Sequence, residues 1–346
     1  MSRLDFSKIG PNRPTYVIAE MSANHNKSLE RAEQLIRAAA EAGADAVKLQ
    51  TYTADTITIP CANEYFTVQG TLWEGRTLHD LYQEAFTPWE WTPRLKALAN
   101  GLGMDCFSTP FDDTAVDFLE AHDMPCYKVA SFENVDIPLL KKIAATGKPV
   151  IMSTGMASLA EIDEAVRTLR ENGCRELALL KCTSAYPAPP EEANLRTIAH
   201  LSQTFGCPAG LSDHTMGSAV AVAAVSLGAC IVEKHFTLSR ADGGPDGAFS
   251  MEPDEFGQMV RDIRTAESAL GEISYALTEK QKESVAFRRS LFVVRDMKQG
   301  ELFTRENVRS IRPGHGLHTR YLEEVTGRRA TRDIAMGTPL NWNLIG

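Results

Sequence analysis

Side chains able to do chemistry recur at the ends of short apolar runs. Glu20 closes "YVIAE", Lys48 and Gln50 sit in "AVKLQTY", Thr109 follows "DCFS", and Lys128 and Ser131 lie in "CYKVAS". Ser153 is in "PVIMSTG", Lys181, Thr183 and Ser184 in "ELALLKCTS", Asp213 and His214 in "AGLSDHT", and Glu233, Lys234 and His235 in "IVEKHFT". Polar ends bordering solvated loops are the plain explanation. However, charged groups seldom leave water unless they are paired or bound, and four of these residues are lysines emerging from otherwise buried segments. Ammonium groups converging on one point suit a substrate carrying phosphate or carboxylate. His214 and His235 end consecutive runs. Two imidazoles without a cysteine cluster make a poor structural zinc site. Beside Asp213 and Glu233 they suit a divalent ion such as Mn²⁺, whose other positions take water, carboxylate and substrate oxygens. A lysine at such a mouth, Lys128 or Lys181, has the alternative chemistry of a Schiff base with a carbonyl substrate. Spacing leaves both readings open.

The elements that must position these groups have a regular beat. Eight apolar runs alternate with amphipathic stretches of helical period, such as "SLERAEQLIRAAAEAGA" and "SLAEIDEAVRTLRENG", which begin near a capping Ser or Asp and stop at Gly. Eight strands, each followed by a helix, predict an α/β fold, a closed (β/α)8 TIM barrel with its active site at the C-terminal strand ends. An open nucleotide-binding sheet would carry a glycine-rich turn after the first strand, and none follows "YVIAE". Alternation along a strand places Glu20 with Ser22, Lys48 with Gln50, and Glu233 with His235 on shared faces. From about Thr53 to Thr87 the chain reads as one long aromatic-rich connection without a clear element, which predicts a lid or binding loop. Beyond about residue 280 the pattern changes to short β-like runs and Gly turns. This predicts a small separate domain, joined by the polar "ALTEKQKES" and too small to hold much core of its own. The boundaries expected are 1–275 for the barrel, 276–287 for the linker and 288–346 for the small domain.

The composition excludes several classes. No run of about 18 apolar residues exists to span a membrane, and the N-terminus lacks the apolar core of a signal peptide. Seven scattered cysteines without CxxC spacing predict reduced thiols and a cytoplasmic location. A net charge of −9 argues against nucleic acid as a partner.

Taken in order, "IAEMSANHN", "AVKLQTY", "FSTPFD", "YKVASFE", "MSTGM", "GLSDHT" and "EKHF" resemble the motifs of the N-acetylneuraminate synthase family. "RRSLFV" and "GELFTRENVRSIRPGHGL" resemble that family's small C-terminal antifreeze-like (SAF) β-rich domain. "LWEGRTLHDLYQEAFTPWEW" and the aromatic Phe132 in "YKVASFE" look most like the family's pseudaminate branch. The resemblance implies condensation of phosphoenolpyruvate with an open-chain acylated amino sugar, with the sialic and legionaminic sugars as alternatives. It implies a divalent metal held by two histidines matching His214 and His235, Mn²⁺ first with Mg²⁺ or Co²⁺ as alternatives, and this demotes the Schiff base. Glu20 matches the acid at the end of the first strand, which stabilises a cationic centre or orients water. Lys48, Gln50, Thr109, Lys128, Ser131, Ser153, Ser184 and Tyr186 match the substrate-binding positions. Ser184 departs from the Asn common in sialic acid synthases, which puts its phosphate contact in doubt. Glu133, Glu233 and Asp246 match residues that order the sugar or the metal's water. Arg312 matches an arginine that the small domain carries to the active site, across a domain-swapped homodimer. His25 is either a sugar contact or a loop residue. Trp73, Trp89 and Trp91 are candidates for lining the sugar site, with core packing expected for at least two of them. Cys106, Cys126 and Cys182 are assigned no chemistry.

Overall fold

Eight parallel strands close on themselves in sequence order. They are β1 (Tyr16–Glu20), β2 (Ala46–Thr51), β3 (Asp105–Pro110), β4 (Tyr127–Val129), β5 (Val150–Ser153), β6 (Leu177–Cys182), β7 (Ala209–Asp213) and β8 (Ile231–His235), with β8 pairing back onto β1. This computed structural model describes residues 3–70 and 73–346. Strands covered on both faces need apolar residues at successive positions, which explains why their runs are nearly continuous.

Helices wrap the outside: α1 (Leu29–Glu41), α2 (Ala54–Ile57), α3 (Leu78–Ala85), α4 (Thr92–Gly101), α5 (Asp113–Ala121), α6 (Ile137–Ala145), α7 (Leu159–Glu171), α8 (Arg196–Phe205), α9 (Ala219–Ser226) and α10 (Pro253–Leu270). Their starts follow from capping. The Ser28 hydroxyl accepts from the Arg31 amide, the Asp112 carboxylate accepts from Thr114 and Ala115, and Ser158 and Glu161 cap each other reciprocally. Outward strand residues such as Val17, Val47, Leu49 and Val232 pack beneath these helices with Leu35, Leu95, Phe256 and Ile263.

The lumen explains where the polar groups go. Its lower half is filled by Tyr16, Ile18, Ala46, Phe107, Cys126, Ile151, Ala178, Leu180 and Ile231. Side chains alternate across a strand, so the next inward position above each of these layers is two residues on. Those positions are Glu20, Lys48, Thr109, Lys128, Ser153, Cys182 and Glu233. The apolar floor therefore sets the depth at which the charged layer begins. Gly210 completes the floor on β7. A Cβ there would lie 2.3 Å from the Ile231 carbonyl oxygen and 2.9 Å from Leu180 Cδ2.

The connection expected to lack elements over 53–87 is built otherwise. It contains α2, whose Thr53 and Thr56 form a capping box, then an antiparallel bridge between Thr67 and Thr77, then α3 capped by Thr77. Four- and eight-residue helices have too few turns to show a period, which hides them from pattern reading. Thr71 and Leu72, within this connection, lie outside the described residues.

A second unit runs from Glu272 to the C-terminus. It opens with α11 (Glu279–Ser284) and holds an antiparallel pair, β9 (Ser290–Val293) and β10 (Val308–Ile311). Leu291, Val293, Met297, Phe303, Val308, Val325, Ile334, Leu340 and Leu344 form a core of its own.

Candidate active site

The upper lumen is organised around one lysine between two acids. Lys48, 5% exposed, places Nζ 2.7 Å from Glu233 Oε1 and 3.1 Å from Glu20 Oε2, the latter outside hydrogen-bonding geometry. Strand register dictates the meeting: Glu20 on β1 lies opposite Lys48 on β2 and His235 on β8. Burial disfavours the Lys48 charge, but the two carboxylates outweigh it and hold its pKa above the ordinary lysine value. Burial pushes Glu20 up to about 7, against the pull of Lys48. Burial also disfavours charge on Glu233, yet Lys128 and Lys48 bring its carboxyl below the usual range. Gln50 Nε2 donates to Glu20 Oε1 and to Ser22 Oγ, each at 3.0 Å, and Ser22 Oγ donates to Asp246. Burial raises Asp246.

Lys128 is different. Among the described residues its ammonium, 1% exposed, donates only to Ser153 Oγ at 2.6 Å and to the Val129 carbonyl at 2.9 Å. With no carboxylate in direct contact, burial dominates and lowers it to about 8. Around it stand hydroxyls with capacity to spare. Thr109 Oγ1 is buried without a partner. Ser131 Oγ accepts from the Gly155 amide at 3.1 Å, and its hydroxyl also faces the Cys182 thiol. Glycine at 155 lets these hydroxyls stand where they do, because a Cβ would fall 2.4 Å from Ser184 Oγ and 2.7 Å from Ser131 Oγ. A hollow of about 420 Å³ opens beside this group, lined by Met156, Lys181, Cys182, Ser184 and Asn194 among others. Glu133, after β4, is pushed up to about 7 by burial, and its Oε2 has no partner.

The two histidines do come together, with ring centroids 5.4 Å apart. His214 Nδ1 lies 2.9 Å from the Thr183 carbonyl, which can only accept, so Nδ1 carries the hydrogen and Nε2 keeps its lone pair. His235 Nδ1 is buried without a partner, and burial with the neighbouring cations keeps the ring neutral, well below the usual histidine pKa. Burial opposes charge on His214, but Cys182 and the Thr183 carbonyl raise its pKa above the usual histidine value. Two imidazoles with uncommitted nitrogens, one oriented by a backbone carbonyl, fit the needs of a divalent cation, which would displace the proton from His214. Among the described residues no three of His, Cys, Asp and Glu gather as a complete ligand set. The pair would therefore need oxygens from water or substrate to complete the shell.

Tyr186 covers this pair, its ring 4.3 Å from His214 and 5.0 Å from Phe249. Trp73, from the long connection, lies 6.1 Å from Tyr186 and donates Nε1–H to the Pro245 carbonyl at 3.0 Å. A hollow of about 350 Å³ lies there between Trp73, Arg76, Glu84, Gly244, Pro245 and Ala248. The other tryptophans are structural: Trp89 donates to the Tyr52 carbonyl and packs on Phe118, and Trp91 packs on His25. His25 is a loop anchor. Its Nδ1 accepts from the Lys27 amide and its Nε2 meets Thr87 Oγ1 at 3.1 Å. Arg312 follows β10 in the second unit and is exposed.

Sequence reasoning did not find Phe249, which sits in a short 3-10 turn without periodic signal, or Gly155, whose role needs two other loops. It also set Cys182 aside. That thiol lies 3.9 Å from His214 Nδ1, and although burial opposes ionisation, the imidazole brings it down to about 6. A separate hollow of about 380 Å³ at the opposite end of the barrel, lined by Lys8, Arg13, Asp45 and Asp105 among others, touches none of these groups.

Comparison with known proteins places the chain in a family. Residues 35–275 match the NeuB family and residues 288–345 match the SAF domain. The chain is 43% identical to the pseudaminic acid synthase of Helicobacter pylori over 95% of its length and 97% of that protein's. It is 36% identical to the N,N'-diacetyllegionaminic acid synthase of Legionella pneumophila, covering 97% of this chain and 96% of that one. The crystal structure of N-acetylneuraminic acid synthetase from Leptospira borgpetersenii, in complex with citrate, superposes with a TM-score of 0.71 at 31% identity, covering 80% of this chain and 92% of that one. The chain belongs to the NeuB family.

Proposed function

We propose that this chain condenses phosphoenolpyruvate with 2,4-diacetamido-2,4,6-trideoxy-L-altrose and water, releasing pseudaminate and phosphate. The upper lumen carries the reading. Among the described residues it sets a buried cation that no carboxylate touches beside an unpartnered Thr109 hydroxyl, in the same lumen as a pair of imidazoles. The identity with the Helicobacter pylori enzyme supports the choice of sugar.

Lys128 is the ammonium that receives an anion, because Lys48 is already neutralised by two acids. Thr109, Ser131, Ser153 and Ser184 add hydroxyl donors to the same phosphoenolpyruvate. Binding at this point restores the charge on Lys128 that burial had weakened. Glu133, Gln50 and Asp246 hold the polar groups of the sugar, and Tyr186 supplies an apolar wall. A divalent cation, Mn²⁺ or in its place Mg²⁺ or Co²⁺, held by His214 and His235 with Glu233 near, would supply Lewis acidity toward the sugar's carbonyl oxygen.

The methylene carbon of phosphoenolpyruvate attacks the aldehyde carbon, one C–C bond forms, and the aldehyde oxygen takes a proton. The former enol carbon becomes oxocarbenium-like and water adds to it. That water's proton passes to a base, and collapse breaks the carbon–oxygen bond to phosphate. Glu20 suits both tasks at that carbon. Its carboxylate stabilises the cation and, with a pKa raised to about 7 although Lys48 lies beside it, can take the proton.

Arg312 completes the site from a second copy in a domain-swapped homodimer. Support comes from the connecting segment, where Ile273 and Tyr275 stand 95% and 97% exposed, as side chains awaiting a partner surface would. Seven free cysteines support a reducing, cytoplasmic setting. Among the described residues no helix is long and apolar enough to cross a membrane.

One observation favours a Schiff-base aldolase instead: the lowered pKa of Lys128. Two assays separate the readings. Phosphate release from phosphoenolpyruvate, run in parallel with the altrose, legionaminic and sialic precursors, should be fastest with the altrose. Borohydride should trap no pyruvate on the protein. A faster rate with another sugar reassigns the substrate, and trapped pyruvate reassigns the chemistry.

A further inference from the structure

Three consecutive ionisable residues end β8, and two are absorbed by the site. Lys234 is not. Alternation along β8 turns it outward, into the layer between barrel and helices to which Val232 and Phe256 also belong. It is 1% exposed, and burial lowers its pKa. Its ammonium nonetheless has three acceptors: Asp213 Oδ2 at 2.6 Å, the Thr215 carbonyl at 2.5 Å and the Gly217 carbonyl at 3.1 Å. Asp213 Oδ1 in turn accepts from the Thr215 amide at 2.9 Å. Every one of these partners lies on the segment 213–217, which carries His214.

A buried ammonium is costly unless fully bonded, and a packed apolar side chain would serve stability alone as well or better. The bonds run between the two strand ends that carry the histidines, and strand register sets Asp213 opposite Lys234. We infer that Lys234 is a positioning residue: by tying the segment 213–217 to β8 from outside the barrel, it fixes the distance and orientation between His214 and His235. The same clamp acts on His214 from one side as the Thr183 carbonyl does from the other. Partners of metal ligands outside the coordination shell are worth about 10- to 100-fold in metal affinity. The inference rests on the reading of the histidine pair as a cation site.

The test is Mn²⁺ binding to metal-free full-length protein, followed by the electron paramagnetic resonance signal of free Mn²⁺, with no substrate and no turnover. Wild type is compared with K234M and with the double variant K234M/D213N, which leaves no unpaired buried charge if the single variant folds poorly. I263A, in the same outer layer, matches the loss of thermal stability without touching segment 213–217. The expected result is Mn²⁺ affinity at least 10-fold weaker in the Lys234 variants and unchanged in I263A. Equal affinity in wild type and the folded Lys234 variants, or an equal loss in I263A, overturns the inference. Absence of Mn²⁺ binding by wild type overturns instead the reading of the histidines on which it rests.

Discussion

Gly155→Ala offers a sharp test of the phosphoenolpyruvate half of the site. The added methyl would sit 2.4 Å from Ser184 Oγ, 2.7 Å from Ser131 Oγ and 3.1 Å from Ser131 Cβ. The first two separations are too short to persist, so both hydroxyls must rotate away. Gly155 does not have positive φ, so alanine strains no backbone there, and the obstacles are ends of short side chains. The fold should survive while the donors move. A hydrogen bond to a charged group is worth about 1.5–3 kcal/mol, and each 1.36 kcal/mol is about tenfold in rate. Loss of one hydroxyl then costs roughly 10- to 150-fold in kcat/KM for phosphoenolpyruvate, and loss of both costs roughly 10²- to 10⁴-fold. Steady-state phosphate release, with each substrate varied in turn, should place the loss on phosphoenolpyruvate and leave KM for the sugar unchanged. Wild-type kcat/KM for phosphoenolpyruvate, or an equal loss on the sugar, would refute the assignment of Ser131 and Ser184.

Two further outcomes follow from charge. K48M leaves Glu20 and Glu233 buried without their cation, and breaking such a pair costs about 3–5 kcal/mol; differential scanning calorimetry should show a melting temperature lower by roughly 4–9 °C. K128M strands no carboxylate, so its melting temperature should fall less while KM for phosphoenolpyruvate rises; the reverse order would contradict the division of labour between the two lysines. His25 sits in the fold with its pKa lowered to about 4 by burial, against the ordinary histidine value of about 6.5, and its Nδ1 can accept from the Lys27 amide only when neutral. Above pH 6.5 both folded and unfolded forms are neutral and the contribution to stability is complete. As pH falls from 6.5 to 4 the unfolded chain takes up the proton first, and about 3 kcal/mol is lost. Urea titrations of wild type and H25Q at pH 7.5 and 4.5 should differ in slope by that amount; parallel pH dependence would remove His25 from the account.

How far the sequence discloses the molecule depends on what each feature is made of. The strands and their polar ends are legible because a lumen with an apolar floor and a charged layer above it writes a two-residue alternation into every strand, from Ile18–Glu20 to Ile231–Glu233. Helices α1 and α7 are legible through Ser28, Ser158 and Glu161. The connection over 53–87 is not, because α2 and the Thr67–Thr77 bridge are too short to carry a period. Nor is the clamp at Lys234, since two of its three acceptors are backbone carbonyls, which any residue possesses. His25 shows the same limit: its role is decided by Thr87, which only the folded chain brings near.

The most direct test of the central claim is phosphate release from phosphoenolpyruvate and 2,4-diacetamido-2,4,6-trideoxy-L-altrose by protein stripped with a chelator, then resupplied with Mn²⁺. The account predicts that release stops on stripping and returns with Mn²⁺ in wild type, while H214A and H235A remain folded and inactive whatever is added. Undiminished release after stripping, or full turnover by either alanine variant, would contradict it.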